Sequence, residues 1–210
     1  MLPSPLYVIC DAEVCAGAGW MMRDFASACL DGGARFLQLR AKQATAAWLL
    51  DTTTAIVKRA EAHGALVVLN DRADVAKAAG AGGVHVGQED LDPQSVRAIV
   101  GLHAVVGLST HTEDQLRQAV AQPVTYVAVG PVFRTKTKAT GYEPIGLDAV
   151  RNAATTVASR DIPLVAIGGI TLDRAREVIE AGARSVAVIT DLLASGDPAA
   201  RVKEYLRLLA

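Results

Sequence analysis

Several short runs carry groups that could grip phosphate or a hard cation. Gln38-Leu39-Arg40-Ala41-Lys42 sets an amide, a guanidinium and an amine at alternate positions. In an extended strand alternate residues share a face, so Gln38, Arg40 and Lys42 point the same way. The guanidinium fork matches phosphate oxygens and the amine adds a compact charge, so the run can hold a polyanion. Taken alone, it also fits solvated charge ahead of a helix. Asn70-Asp71-Arg72 and Gly83-Val84-His85-Val86-Gly87-Gln88-Glu89-Asp90 bring carboxylates to other strand ends. Mg²⁺ takes one or two carboxylates and completes its shell with water and substrate phosphate, which makes Asp71 and Asp90 a candidate pair. Both also fit as helix N-caps, and Glu89 and Asp74 stand near enough to replace them if the register differs.

Later runs add a second kind of anion site. Gly130-Pro131-Val132-Phe133-Arg134-Thr135-Lys136-Thr137-Lys138, closing at Gly141, has the hydroxyls and charge of a loop that folds over an anion; a polar surface loop has the same composition. Gly168-Gly169 and Ile189-Thr190 end the last strands, where backbone N–H groups can approach a monophosphate, although a tight packing turn also uses paired glycines. His85 lies within an apolar run and fits a satisfied core histidine, whereas His111 sits nearer the expected mouth. The four histidines show no H-E-x-x-H spacing for zinc. Ser109 lacks the G-x-S-x-G elbow of a nucleophile and is assigned a hydrogen-bonding role.

These residues need a scaffold that gathers strand ends. Apolar runs recur at Leu6 to Cys10, Phe36 to Arg40, Leu66 to Asn70, Gly83 to Gly87, Ala104 to Ser109, Tyr126 to Gly130, Leu164 to Gly168 and Ser185 to Thr190. Between them, segments such as Ala44 to His63, Pro93 to Val100, Glu113 to Ala121, Leu147 to Ser159 and Leu172 to Ala181 are rich in helix formers. Near-continuous apolar strands imply a sheet covered on both faces and hence parallel strands with crossover helices. Eight such units predict an α/β fold, a single (β/α)₈ TIM barrel over 1–210. An open doubly wound sheet is the alternative, but Asp11-Ala12-Glu13-Val14 has no G-x-G-x-x-G fingerprint. Glycines after Asp31, His63, Ala79 and Ala181 mark helix stops.

Composition narrows the function. The 210 residues carry 21 Lys+Arg against 22 Asp+Glu, with 51% hydrophobic and 4% aromatic residues. Near-neutral charge and few aromatics argue against nucleic acid as a partner. No apolar run reaches membrane-spanning length and the N-terminus lacks signal-peptide character, so a cytoplasmic protein is expected. The three cysteines, Cys10, Cys15 and Cys29, have no C-x-x-C spacing and are expected to be reduced and structural. Exterior helix faces leave room for a homodimer.

Quoted together, Gln38 to Lys42, Asn70 to Arg72, Gly83 to Asp90, Gly107-Leu108-Ser109-Thr110-His111, Gly130 to Phe133 with Thr135 to Lys138, and Gly168-Gly169-Ile170 closely resemble the thiamine-phosphate synthase family. The resemblance implies a barrel enzyme, a transferase that joins 4-amino-2-methyl-5-hydroxymethylpyrimidine diphosphate to 4-methyl-5-(2-hydroxyethyl)thiazole phosphate. The products would be thiamine phosphate and pyrophosphate. It implies that Gln38, Arg40, Lys42, Asn70, Ser109 and Lys138 contact the pyrimidine diphosphate, with Arg40, Lys42, Ser109 and Lys138 carrying catalysis. Asp71 and Asp90 would bind Mg²⁺ as cofactor, and Thr135, Thr137, Gly169, Ile189 and Thr190 would hold the thiazole phosphate. Thr190 departs from the serine usual in the family but keeps a hydroxyl. A paralogous thiazole tautomerase, with His111 as its acid-base group, and a non-catalytic binder of thiamine precursors are the competing readings.

Overall fold

A computed structural model describes residues 2–135 and 141–210. Eight parallel strands close in sequence order: β1 Leu6–Asp11, β2 Phe36–Arg40, β3 Leu66–Asn70, β4 Gly83–Val86, β5 Val105–Thr110, β6 Tyr126–Val129, β7 Leu164–Ile167 and β8 Ser185–Val188. Pairing of Leu6 with Val186 and of Val8 with Val188 joins β8 back to β1, so the sheet has no open edge and the doubly wound alternative is excluded. The helices are α1 Ala12–Gly17, α2 Met22–Asp31, α3 Ala46–Glu61, α4 Ala73–Ala79, α5 Pro93–Val100, α6 Glu113–Ala119, α7 Gly146–Ala158, α8 Leu172–Glu180 and α9 Pro198–Leu209.

Local chemistry sets these boundaries. Thr45, Asp92 and Thr112 each accept a backbone N–H of the first turn of α3, α5 and α6, and Pro93 opens α5 where a missing N–H costs nothing. Gly80 closes α4 in the left-handed conformation (φ 72°) expected of a glycine stop. The eighth strand is shorter than the sequence predicts: it ends at Val188, Ile189 turns (φ −116°, ψ −87°), and Thr190–Leu193 forms a 3₁₀ turn.

Strand alternation divides the apolar residues into two cores. Tyr7, Ile9, Phe36, Val68, Tyr126, Ala128, Val165 and Ala187 fill the barrel, whereas a larger set, including Val8, Leu37, Leu39, Leu69, Val84 and Val186, packs outward against the helices. Tyr7 stacks on Phe36 at 3.6 Å between ring centroids, with Tyr126 set edge-on to both. Above this aromatic floor Asp11, Gln38, Arg40, Asn70, His85 and Ser109 line the interior beside Ile9, Ala128, Ile167 and Ile189. All three cysteines are buried and unpaired. No helix among the described residues is long and apolar enough to cross a membrane.

Candidate active site

Inward-facing residues at the carboxyl ends of the strands line a cavity that runs from the floor to the mouth. Its deeper part is bounded by Tyr7, Gln38, Arg40, Asn70, His85 and Ser109. Ser109, Ile167, Ala187 and Ile189 also border a wider chamber with Thr135, Gly168, Gly169 and Thr190 on its wall. A hydrogen-bonding floor thus opens into a mainly apolar throat.

Arg40 is anchored from an unexpected side. Its Nη1 pairs with Asp11, whose other carboxylate oxygen accepts the Glu13 and Val14 N–H groups at 3.1 Å and caps α1. Asp11 belongs to no recognisable motif, and its one signal in the sequence is an acid between an apolar strand and a helix-forming segment. The buried Arg40 Nε has no acceptor among the described residues, so the guanidinium retains a donor for an incoming anion.

Lys42 lies beyond the end of β2, yet its amine returns to the rim and meets Asp71 at 3.1 Å. Asp71 adopts a left-handed backbone (φ 63°) and its N–H donates to the His85 carbonyl at 2.8 Å. It is therefore not the cap of α4, whose N-cap is Arg72. Burial raises the Asp71 carboxyl above its ordinary pKa; the Lys42 hydrogen bond opposes this, and the adjacent Asp90 carboxyl pushes it further up. Asp90 also accepts the Gly87 N–H at 2.8 Å, so a short backbone turn fixes it beside Asp71.

Two carboxyls crowded together with one lysine fit a divalent cation, which would relieve their repulsion. No cluster of three or more His, Cys, Asp or Glu ligands occurs among the described residues. Mg²⁺ does not need one, because water and phosphate complete its octahedron. The reserve acids are placed elsewhere. Asp74 is held by Arg72, which lowers its pKa to about 2, and Glu89 is exposed.

His85 is satisfied at both nitrogens, Nδ1 to the Tyr126 hydroxyl and Nε2 to Ser109 Oγ, each at 2.8 Å. His111 Nδ1 meets the Gly130 carbonyl at 2.6 Å, and its ring stacks on Tyr142. Gly168 and Gly169 have positive φ (104° and 64°), and an added Cβ would strike Pro131 at 2.5 Å or the Arg134 carbonyl at 2.6 Å. The glycines thus admit the backbone after β6, which donates from Phe133 N–H to the Gly168 carbonyl at 3.0 Å. Thr137 and Lys138 lie outside the described residues.

A family model described as "Thiamine monophosphate synthase" matches residues 6–192. The chain is 46% identical to the thiamine-phosphate synthase of Koribacter versatilis (strain Ellin345) over 207 residues, covering 97% of this chain and 95% of that protein. It is 39% identical to the thiamine-phosphate synthase of Laribacter hongkongensis (strain HLHK9), covering 99% and 96%. Among solved structures, a thiamine phosphate pyrophosphorylase from Pyrococcus furiosus superposes with a TM-score of 0.86 at 29% identity, covering 97% of this chain and 94% of that one. With the match running from β1 into the 3₁₀ turn after β8, the chain belongs to the thiamine monophosphate synthase family.

Proposed function

We propose that this chain is a cytoplasmic thiamine-phosphate synthase that couples 4-amino-2-methyl-5-hydroxymethylpyrimidine diphosphate to 4-methyl-5-(2-hydroxyethyl)thiazole phosphate, with Mg²⁺ as cofactor. The observation that carries this reading is one rim on which Asp71, Asp90 and Lys42 converge above a floor of Gln38, Asn70 and Ser109. Anion-binding charge stands at the mouth, and below it lies a small pocket in which Gln38, Asn70 and Ser109 are set among apolar side chains, suited to a heteroaromatic ring.

Gln38, Asn70 and Ser109 bind and orient the pyrimidine through its ring edge. Arg40, with one arm fixed by Asp11 and Nε available, and Lys42 hold the diphosphate. Asp71 and Asp90 would hold Mg²⁺, which would supply further positive charge toward the leaving group. The C–O bond to pyrophosphate breaks with its electron pair leaving on oxygen, and the pyrimidine methylene becomes a cation stabilised by its amino group. Arg40, Lys42 and Lys138 stabilise the charge growing on the leaving group. The thiazole nitrogen then donates its lone pair to form the C–N bond, so no protein nucleophile or base is required. Ile167, Ala187 and Ile189 give the throat an apolar wall that limits water, which would otherwise trap the cation as an alcohol. The thiazole phosphate is assigned to Thr135, Thr137, Gly169, Ile189 and Thr190.

Mass spectrometry of the two-substrate reaction with Mg²⁺ tests the proposal. The expected result is thiamine phosphate with equimolar pyrophosphate. Isomerised thiazole alone would select the tautomerase, and binding without turnover a non-catalytic role.

A further inference from the structure

A hydrogen-bonded chain crosses the barrel floor between two residues assigned to the pyrimidine. Gln38 Nε2 donates to the Tyr7 hydroxyl at 2.9 Å, and the Tyr7 and Tyr126 hydroxyls meet at 2.9 Å. The Tyr126 hydroxyl contacts His85 Nδ1, and His85 Nε2 contacts Ser109 Oγ, both at 2.8 Å. The chain joins five strands, β2, β1, β6, β4 and β5, and both of its ends border the deep cavity.

The floor is shaped to admit it. A Cβ at Gly107 would lie 2.1 Å from Tyr126 Cζ and 2.4 Å from its hydroxyl oxygen, so a glycine in β5 leaves the space the phenol occupies. Tyr7 and Tyr126 are fully buried, and burial pushes both phenols far above their ordinary pKa, so each keeps one hydrogen to give.

Each internal member therefore has one hydrogen to donate along the chain, and a neutral imidazole has one N–H and one acceptor nitrogen. With the Gln38 amide donating, Tyr7 donates to Tyr126 and Tyr126 donates to His85 Nδ1. The His85 hydrogen is then on Nε2 and points to Ser109, whose own O–H is released to the cavity. If the amide turns over, every bond reverses, and Ser109 becomes an acceptor as the Gln38 amine becomes free to donate.

We propose that Tyr7 and Tyr126 are positioning residues that tie the hydrogen-bond polarity of Ser109 to that of Gln38, so that this pair always offers a bound ring one donor and one acceptor. An aminopyrimidine edge, with N–H beside a ring nitrogen, is the complement of such a pair. The link to the pyrimidine rests on the proposed function; the polarity relay rests on the geometry alone.

¹⁵N NMR of the His85 ring in ligand-free protein tests the relay. Wild type should show one neutral tautomer with the hydrogen on Nε2. Gln38→Glu is measured at a pH where the ¹³C shift of the new carboxyl shows it ionised. It presents only acceptors to Tyr7, so the hydrogen should move to Nδ1. In a Tyr126→Phe background the chain is cut, and adding Gln38→Glu should leave the tautomer unchanged. Tyr7→Phe, which deletes a single oxygen, should release the relay to a mixture of tautomers and serves if Gln38→Glu does not fold. An unchanged tautomer in Gln38→Glu or Tyr7→Phe, or a doubly protonated ring in wild type, overturns the proposal. In steady-state assays Tyr126→Phe should raise KM for the pyrimidine diphosphate about tenfold and leave KM for the thiazole phosphate within twofold. A wild-type protein that forms no thiamine phosphate would refute the function, while the NMR result still decides the relay.

Discussion

At Asp71 a left-handed backbone (φ 63°) brings a carboxylate against Asp90 on one side and Lys42 on the other. Such a conformation costs a non-glycine residue about 1–3 kcal/mol and persists where surrounding structure enforces it, here through the Asp71 N–H bond to His85. The arrangement works against local stability and makes sense as a site for positive charge. Asp71→Ala should lower kcat/KM by about two to three orders of magnitude, the usual scale for losing a charge-stabilising group. Its thermal midpoint should stay within a few degrees of wild type, as calorimetry would show. Chelation with EDTA should abolish coupling and added Mg²⁺ should restore it; activity that survives chelation would remove the metal from the scheme.

The loops after the strands are where chemistry and packing compete for the same atoms. Gly168 and Gly169 follow β7, yet what crowds them is the segment after β6: Pro131, Phe133 and the Arg134 carbonyl. Gly168→Ala combines a positive φ with a backbone clash and should destabilise the fold by about 2 kcal/mol, read as a shift in urea midpoint. By moving the wall that carries Thr135, it should also raise KM for the thiazole phosphate. The turn after β1 has a similar double use, because Asp11 both starts α1 and braces Arg40. Asp11→Ala leaves a largely buried guanidinium without its counter-charge. A loss of about 3 kcal/mol is expected, more than an N-cap alone accounts for.

Across the whole molecule, closure of the sheet puts the three thiols between barrel and helices. Burial raises Cys10 and Cys29 and pushes Cys15 up to about 12 from an ordinary 9.0. Native protein at pH 8 should therefore resist iodoacetamide and take up three equivalents after unfolding, as intact mass would show. A raised thiol pKa favours the folded state fully below pH 9, and that contribution fades as pH climbs toward 12, so the urea midpoint should fall on the alkaline side.

Short-range pattern sufficed for the architecture. Alternation within β2 turns Gln38 and Arg40 inward, apolar runs mark every strand to within two residues at its ends, and glycines lie at or just beyond the ends of α2, α3, α4 and α8, because each depends on neighbours a few positions away. Folding in three dimensions chose the partners. Arg40 binds Asp11 and Lys42 turns back to Asp71. Tyr7 meets Tyr126 from 119 residues away, and Gly107 leaves room for that contact. Such pairings depend on the closure and stagger of the barrel, which set which inward side chains share a level, and no local periodicity encodes that stagger.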